Sequence, residues 1–192
     1  MVSDSMARAT KSVMTKDLKM AEEVITSDEK IDIVQHDLDA RIIDIIARQQ
    51  PVASDLRALV TALRMSADLE RMGDLAHHVA KLVRLRHPES AVPAELLALV
   101  EAIGETAEKI ATKTGVVIST RDVALAAQVE KDDDEMDMLH RKLISSLVEP
   151  SWPHGVETAI DLTLLGRYYE RYADHAVSVA RRVIFLVTGK FA

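Results

Sequence analysis

Glu70-Arg71-Met72-Gly73-Asp74 and Glu170-Arg171-Tyr172-Ala173-Asp174 are one pentapeptide written twice, 100 residues apart. In each, two carboxylates stand four residues apart, which on a helix stacks both side chains on one face. The repeat extends outward. Ala76, Val79, Ala80 and Val83 recur at the same spacing as Ala176, Val179, Ala180 and Val183. Earlier in the chain the spacing is 105: Asp17, Ala21, Val24, Asp28 and Asp32 return as Asp122, Ala126, Val129, Asp133 and Asp137. The five-residue change falls around a proline turn, where length changes are easily tolerated. The chain therefore reads as all-α, a tandem repeat of two three-helix bundles with six helices, the first over 1–88 and the second over 93–192.

Periodicity and punctuation give the six helices. Residues 1–26 are helix-compatible from about Met6, with Val13, Met14, Leu18, Ala21 and Val24 on an apolar face. Thr26-Ser27-Asp28-Glu29 has the pattern of a capping box, so a second helix is expected to start near Asp28 and to close at Pro51. The third runs from Leu56 to about Arg86, roughly 45 Å of helix that needs lateral partners along its length. His87-Pro88 stops it, and 88–93 is the clearest linker. A fourth helix begins near Ala94, falters at Ser119-Thr120-Arg121-Asp122 and resumes through Val129. A fifth covers about Asp133 to Val148, and the sixth follows the Pro150-Ser151-Trp152-Pro153 turn, from Gly155 to Val187. Period-two alternation is nowhere sustained, so no strand is expected. The first helix is short beside its second-half counterpart, which reads either as a late start relative to a longer parent or as a short helix in its own right.

Composition narrows the function. A net charge of −7 leaves no basic footprint for nucleic acid and little attraction for anionic lipid; metal cations or basic protein patches suit it better. With no cysteine, disulfides and thiolate metal sites are excluded. Val183-Ile184-Phe185-Leu186-Val187 is the end of a helix and far short of the roughly 20 apolar residues that span a bilayer. The N-terminus lacks the plan of a signal peptide, and a cytoplasmic location is expected.

Four Asp/Glu-x-x-x-Asp pairs carry the candidate chemistry: Asp28/Asp32 and Glu70/Asp74 in the first half, Asp133/Asp137 and Glu170/Asp174 in the second. If the middle and last helices of each half lie side by side, four carboxylates converge in each. Leu69, Met72, Ala76, Val79 and Val83 form the core stripe of the third helix, and Glu70 and Asp74 lie roughly 150° from it, on a bundle surface or groove. A solvated face is the bland account of any one pair, and for Asp28/Asp32 and Asp133/Asp137 a first-turn position complementing the helix dipole is another. The mid-helix pairs have no such explanation, because Asp is a mediocre helix former. Four neighbouring like charges repel, and a hard cation removes that cost; oxygen-only sites suit Mg²⁺, Mn²⁺, Ca²⁺ or Fe³⁺.

Other residue types sharpen the reading. Asp74-Leu75-Ala76-His77 approaches the carboxylate-histidine spacing of di-iron bundles, but its counterpart ends in Val177. His77 and His78 are thus candidate auxiliary ligands in the first half alone, and the other histidines read as surface residues. Arg71 and Arg171 hold the carboxylates or pair with a neighbouring helix. Tyr169 and Tyr172 lie on the core stripe, and Trp152 either covers the bundle end or meets a partner. There is no phosphate-binding glycine loop, Gly-x-Ser-x-Gly or His-Glu-x-x-His.

The ordered set Asp28-x-x-x-Asp32, Leu69-Glu70-Arg71-Met72-Gly73-Asp74, Asp133-x-x-x-Asp137 and Tyr169-Glu170-Arg171-Tyr172-Ala173-Asp174, with Gln50-Pro51 before Asp55-Leu56-Arg57, resembles the PhoU family of phosphate-transport and phosphate-signalling regulators. The resemblance covers about 16–187. It implies two similar three-helix bundles whose acidic pairs hold multinuclear metal (iron, zinc, manganese or magnesium). It also implies a non-enzymatic cytoplasmic protein, peripheral to the membrane through its partners only and forming a homodimer. Those partners would be the ATPase subunit of the phosphate transporter and the phosphate-sensing histidine kinase, with the starvation response repressed when phosphate is plentiful. The second half departs from the family's Gln-Pro turn, with Trp152-Pro153-His154-Gly155 in its place. Two other readings stand beside this one: a di-metal carboxylate enzyme, an oxidase or a phosphatase, and a metal-free helical interaction module.

Overall fold

Two aspartates at equivalent places set the helix order. In the computed structural model, which describes residues 1–190, the Asp17 carboxylate accepts from the Met20 amide at 2.9 Å, and Asp122 accepts from Leu125 at 3.0 Å. Each satisfies a backbone donor that a helix start leaves unpaired. Lys16 and Arg121, just before them, adopt the left-handed conformation (φ 57° in both) and end the preceding helices. The order is α1 (Val2–Thr15), α2 (Leu18–Ser27), α3 (Glu29–Gln49), α4 (Ala53–Arg86), a 3₁₀ turn (Ala94–Leu96), α5 (Leu97–Thr120), α6 (Val123–Leu147) and α7 (Gly155–Thr188). No strand occurs among the described residues.

The start expected at Asp28 is corrected. Asp28 keeps helical dihedrals (φ −60°, ψ −40°) and makes no capping bond, so α2 and α3 are one helix with a single-residue interruption. Counted that way there are six helices, as the repeat requires. The box is overruled because the apolar series Ala21, Val24 and Ile31, all buried, runs straight through it. The second half agrees: Asp133 lies well inside α6, which begins at Val123.

α1, α2–α3 and α4 pack together, as do α5, α6 and α7, and the two trios share one continuous hydrophobic core. α4 and α7 lie antiparallel along the middle: Asp68 meets Arg182 at one end and Arg86 meets Asp161 at the other. Tyr169 and Tyr172 are fully buried, and each reaches into the first half. The Tyr169 hydroxyl is 2.8 Å from Thr10 Oγ1, and Tyr172 donates to the Val2 carbonyl at 3.0 Å. These phenols give α1, short as it is, a fixed seat, and buried tyrosine requires such partners. Trp152 packs against the core edge and donates to the Gly155 carbonyl at 2.8 Å, covering the bundle end. No helix among the described residues is long and apolar enough to cross a membrane.

Candidate metal-binding clusters

The first cluster forms where α4 and α3 come closest. Gly73 permits the approach: a Cβ there would stand 2.8 Å from Ile31 Cδ1 and 3.0 Å from Asp28 Oδ1. Asp28 and Asp32 face Glu70 and Asp74 across this contact, and the four feel one another. Burial, then Asp74 and Asp32, raises the Glu70 pKa. Burial also raises Asp28, with Asp74 and Asp32 adding to it and the His77 hydrogen bond opposing. His77 Nδ1 lies 2.7 Å from Asp28 Oδ2, whose side chain is 11% exposed. The other ring nitrogen, Nε2, is buried without a hydrogen-bond partner. Arg71 holds Asp74 at 2.6 Å.

The second cluster repeats the plan with different surroundings. Asp133 and Asp137 on α6 meet Glu170 and Asp174 on α7. The Asp133 pKa is pushed up to about 6, by burial first, then by Asp174, Asp137, Asp134 and Glu170. Asp133 and Asp137 are too far into α6 for the dipole account, which reaches only the first turn. Glu170 is held by Arg167 and Asp74 by Arg71, so the arginine partners do not follow the repeat; Arg171 makes no ion pair among the described residues. Asp133 and Asp174 open onto a cleft of about 320 Å³ between α4 and α7.

All eight carboxylates of the sequence reading therefore fall into two groups of four. Their mutual repulsion is the observation that a cation would answer, and an all-oxygen donor set fits a hard ion. In the first half the unpartnered His77 Nε2 adds a lone pair of the right kind if Nδ1 carries the proton given to Asp28. As the side chains stand, no three of them converge tightly enough to enclose an ion among the described residues, and Asp74 and Glu170 are paired with Arg71 and Arg167.

Sequence reasoning missed the clamp between the halves. Asp68 on α4 accepts from Arg182 Nε at 2.8 Å and from Ser178 Oγ at 3.0 Å, and lies 3.0 Å from His175 Nδ1. Burial acts to raise its pKa, but the hydrogen bonds from His175, Arg182 and Ser178 outweigh burial and hold it below the usual carboxylate range. His175, expected on the surface, is thus a half-buried contact. The repeat could not reveal it, because the counterpart of Asp68 is Tyr168, which stacks on His78 with ring centres 5.2 Å apart. At the other end Arg86 binds Asp161 and Glu157, at 2.5 Å each.

Known proteins bear directly on this arrangement. The family model described as the PhoU domain matches the chain twice, over 1–83 and 100–183. The chain is 48% identical over 187 residues to phosphate-specific transport system accessory protein PhoU homolog 1 of Mycobacterium leprae, covering 97% of this chain and 84% of that protein. It is 46% identical to PhoU homolog 2 of Mycobacterium tuberculosis, covering 97% and 88%. Its fold superposes on the crystal structure of PhoU from Pseudomonas aeruginosa with a TM-score of 0.85 at 28% identity, covering 98% of this chain and 91% of that one. A TM-score of 0.88 to the phosphate transport system regulatory protein PhoU of Streptococcus pneumoniae, at 23% identity and covering 100% and 90%, concerns the fold alone. The chain belongs to the PhoU family.

Proposed function

We propose, with membership of the PhoU family as the premise, that this chain is a non-catalytic regulator of phosphate uptake and phosphate-starvation signalling. It associates with the ATPase subunit of the phosphate transporter and with the phosphate-sensing histidine kinase, in the cytoplasm and as a homodimer, and keeps the starvation response off when phosphate is plentiful. The observation that carries the reading is the match across 97% of the chain to relatives named as accessory proteins of phosphate transport. The di-metal enzyme reading gains no support from those names, and the second cluster has no imidazole in register with His77.

Asp28, Asp32, Glu70 and Asp74, and Asp133, Asp137, Glu170 and Asp174, would each hold metal. The ion would supply positive charge that relieves the repulsion and ties the middle and last helices of each half together. His77 would orient Asp28. Deleting the coding sequence in the source organism, in a background without a second family member, is expected to make phosphate-starvation genes constitutive in phosphate-rich medium. Normal repression there would contradict the signalling role.

A further inference from the structure

Helix α3 carries two apolar stripes and uses one. Ile31, Leu38, Ile42 and Ile45 recur at heptad spacing, and Ile31 and Ile42 are buried on the side that packs on α4. Roughly half a turn away, counting 100° per residue, a second series runs Ile33, His36, Ala40, Ile43 and Ala47, alternating steps of three and four. All five are exposed, Ile33 at 53% and Ile43 at 61%. A regular three-four series is the seam by which one helix packs along another, whereas a surface helix ordinarily keeps its outward face polar. The repeat supplies a control. The equivalent series on α6 is Met138, Arg141, Ser145 and Val148, interrupted by a charge and a hydroxyl. The exposed seam therefore belongs to the first half alone.

The seam is complementary to itself. Reversed about Ala40, it sets Ile33 against Ala47, His36 against Ile43 and Ala40 against Ala40, and the small residues at the centre and ends let two helices close. Asp37 and Arg41 stand on one edge of it, and neither makes an ion pair or side-chain hydrogen bond among the described residues. In a two-fold antiparallel pair each edge faces the same edge of the other helix, so Asp37 of each copy comes beside Arg41 of the other. On α6 the corresponding residues are Lys142 and Ser146, which have no such complement.

We propose that α3 is a homodimer surface: two copies of this chain pair antiparallel through the Ile33–Ala47 seam, with reciprocal Asp37–Arg41 ion pairs. The inference rests on the homodimer of the proposed function and gives it a surface. α3 is about 30 Å long and about 10 Å wide. The contact then falls at the low end of specific interfaces, roughly 1,200 Å² in total, and the dimer dissociates reversibly in the micromolar range.

The test is sedimentation velocity on the full chain, over a concentration series spanning the micromolar range at low salt. The wild type is expected to pass reversibly from monomer to dimer. Ile33→Glu/Ile43→Glu stays monomeric with an unchanged far-UV circular dichroism spectrum, since both side chains are exposed in the single chain. Met138→Glu/Val148→Glu, at the matching places on α6, changes nothing. Asp37→Arg or Arg41→Asp alone weakens the dimer about fivefold, and the two together restore it, because the reciprocal pairs turn from attraction to repulsion and back. A dimer that Ile33→Glu/Ile43→Glu leaves intact overturns this surface and leaves the homodimer standing. Association lost in the α6 variant, or a double charge swap that fails to restore it, overturns the antiparallel α3 pairing in the same way. A wild type that stays monomeric overturns the homodimer and the surface together.

Discussion

The first and second acidic clusters are built from equivalent helices at equivalent register, yet their surroundings differ. The first is closed in: Gly73 brings α4 onto α3, His77 holds Asp28, and the adjacent cleft is filled by the Tyr168–His78 stack. The second is open: Ala173 stands where Gly73 was, no histidine joins it, and Asp133 and Asp174 face a cleft lined with arginine. Duplication preserved the residues that fix helix register and let the residues that meet the other half diverge. Charge placement across the α4/α7 contact is thus where the two halves acquired separate properties.

The comparison breaks most sharply at the clamp. Asp68→Ala leaves Arg182 and His175 without their partner and is expected to cost about 3 kcal/mol, read by denaturant unfolding. Tyr168→Ala, at the matching position, removes a half-buried ring stack and costs about 1 kcal/mol. Equal losses at the two positions would mean that the halves meet symmetrically in energy despite their chemistry.

Next in size is the pH response of the second cluster. Asp133 ionises near its ordinary value in the unfolded chain but at about 6 in the fold. The native state therefore holds its proton longer, and metal-free stability falls as pH rises from about 4 to 6. After allowance for solvent screening, the effect is on the order of 1 kcal/mol. Asp133→Asn is expected to raise metal-free stability at pH 7 by that amount and to flatten the slope in thermal unfolding. Asp68 works in the opposite sense: its lowered pKa stabilises the fold above the ordinary carboxylate range and loses that contribution as pH falls. The two slopes separate because one carboxylate is crowded by its own kind and the other by cations.

The smallest effect distinguishes the two helix contacts. Gly73→Ala gains about 1 kcal/mol of helix propensity but forces a Cβ against Ile31 and Asp28, a strain of similar size, so net stability should hardly move. Metal affinity of the first cluster should fall nonetheless, because Asp28 is displaced. Ala173→Gly loses helix propensity and a buried core methyl and should destabilise by roughly 1–2 kcal/mol while leaving the second cluster's affinity intact.

Much of this was legible in the residues. The 100- and 105-residue spacings placed every carboxylate of both clusters on the right helix, and the apolar stripe put Tyr169 and Tyr172 in the core. The helix starts were harder. Lys16 and Arg121 turn the chain in left-handed conformations without a glycine to announce them, while Thr26-Ser27-Asp28-Glu29 offers a capping signal that the buried apolar series overrides. The clamp of Asp68, His175 and Arg182 was invisible for a different reason. Those contacts join residues more than 100 positions apart, and a repeat aligns each residue with its counterpart rather than with its neighbour.

Elemental analysis of the purified, dialysed protein after metal-replete expression tests the doubled metal site most directly, on wild type, Glu70→Gln/Asp74→Asn and Glu170→Gln/Asp174→Asn. Stoichiometric metal in the wild type, falling by about half in each double variant, is the expected result, since each variant disables one of two matched clusters. A metal-free wild type, or a metal content that both variants leave untouched, would contradict it.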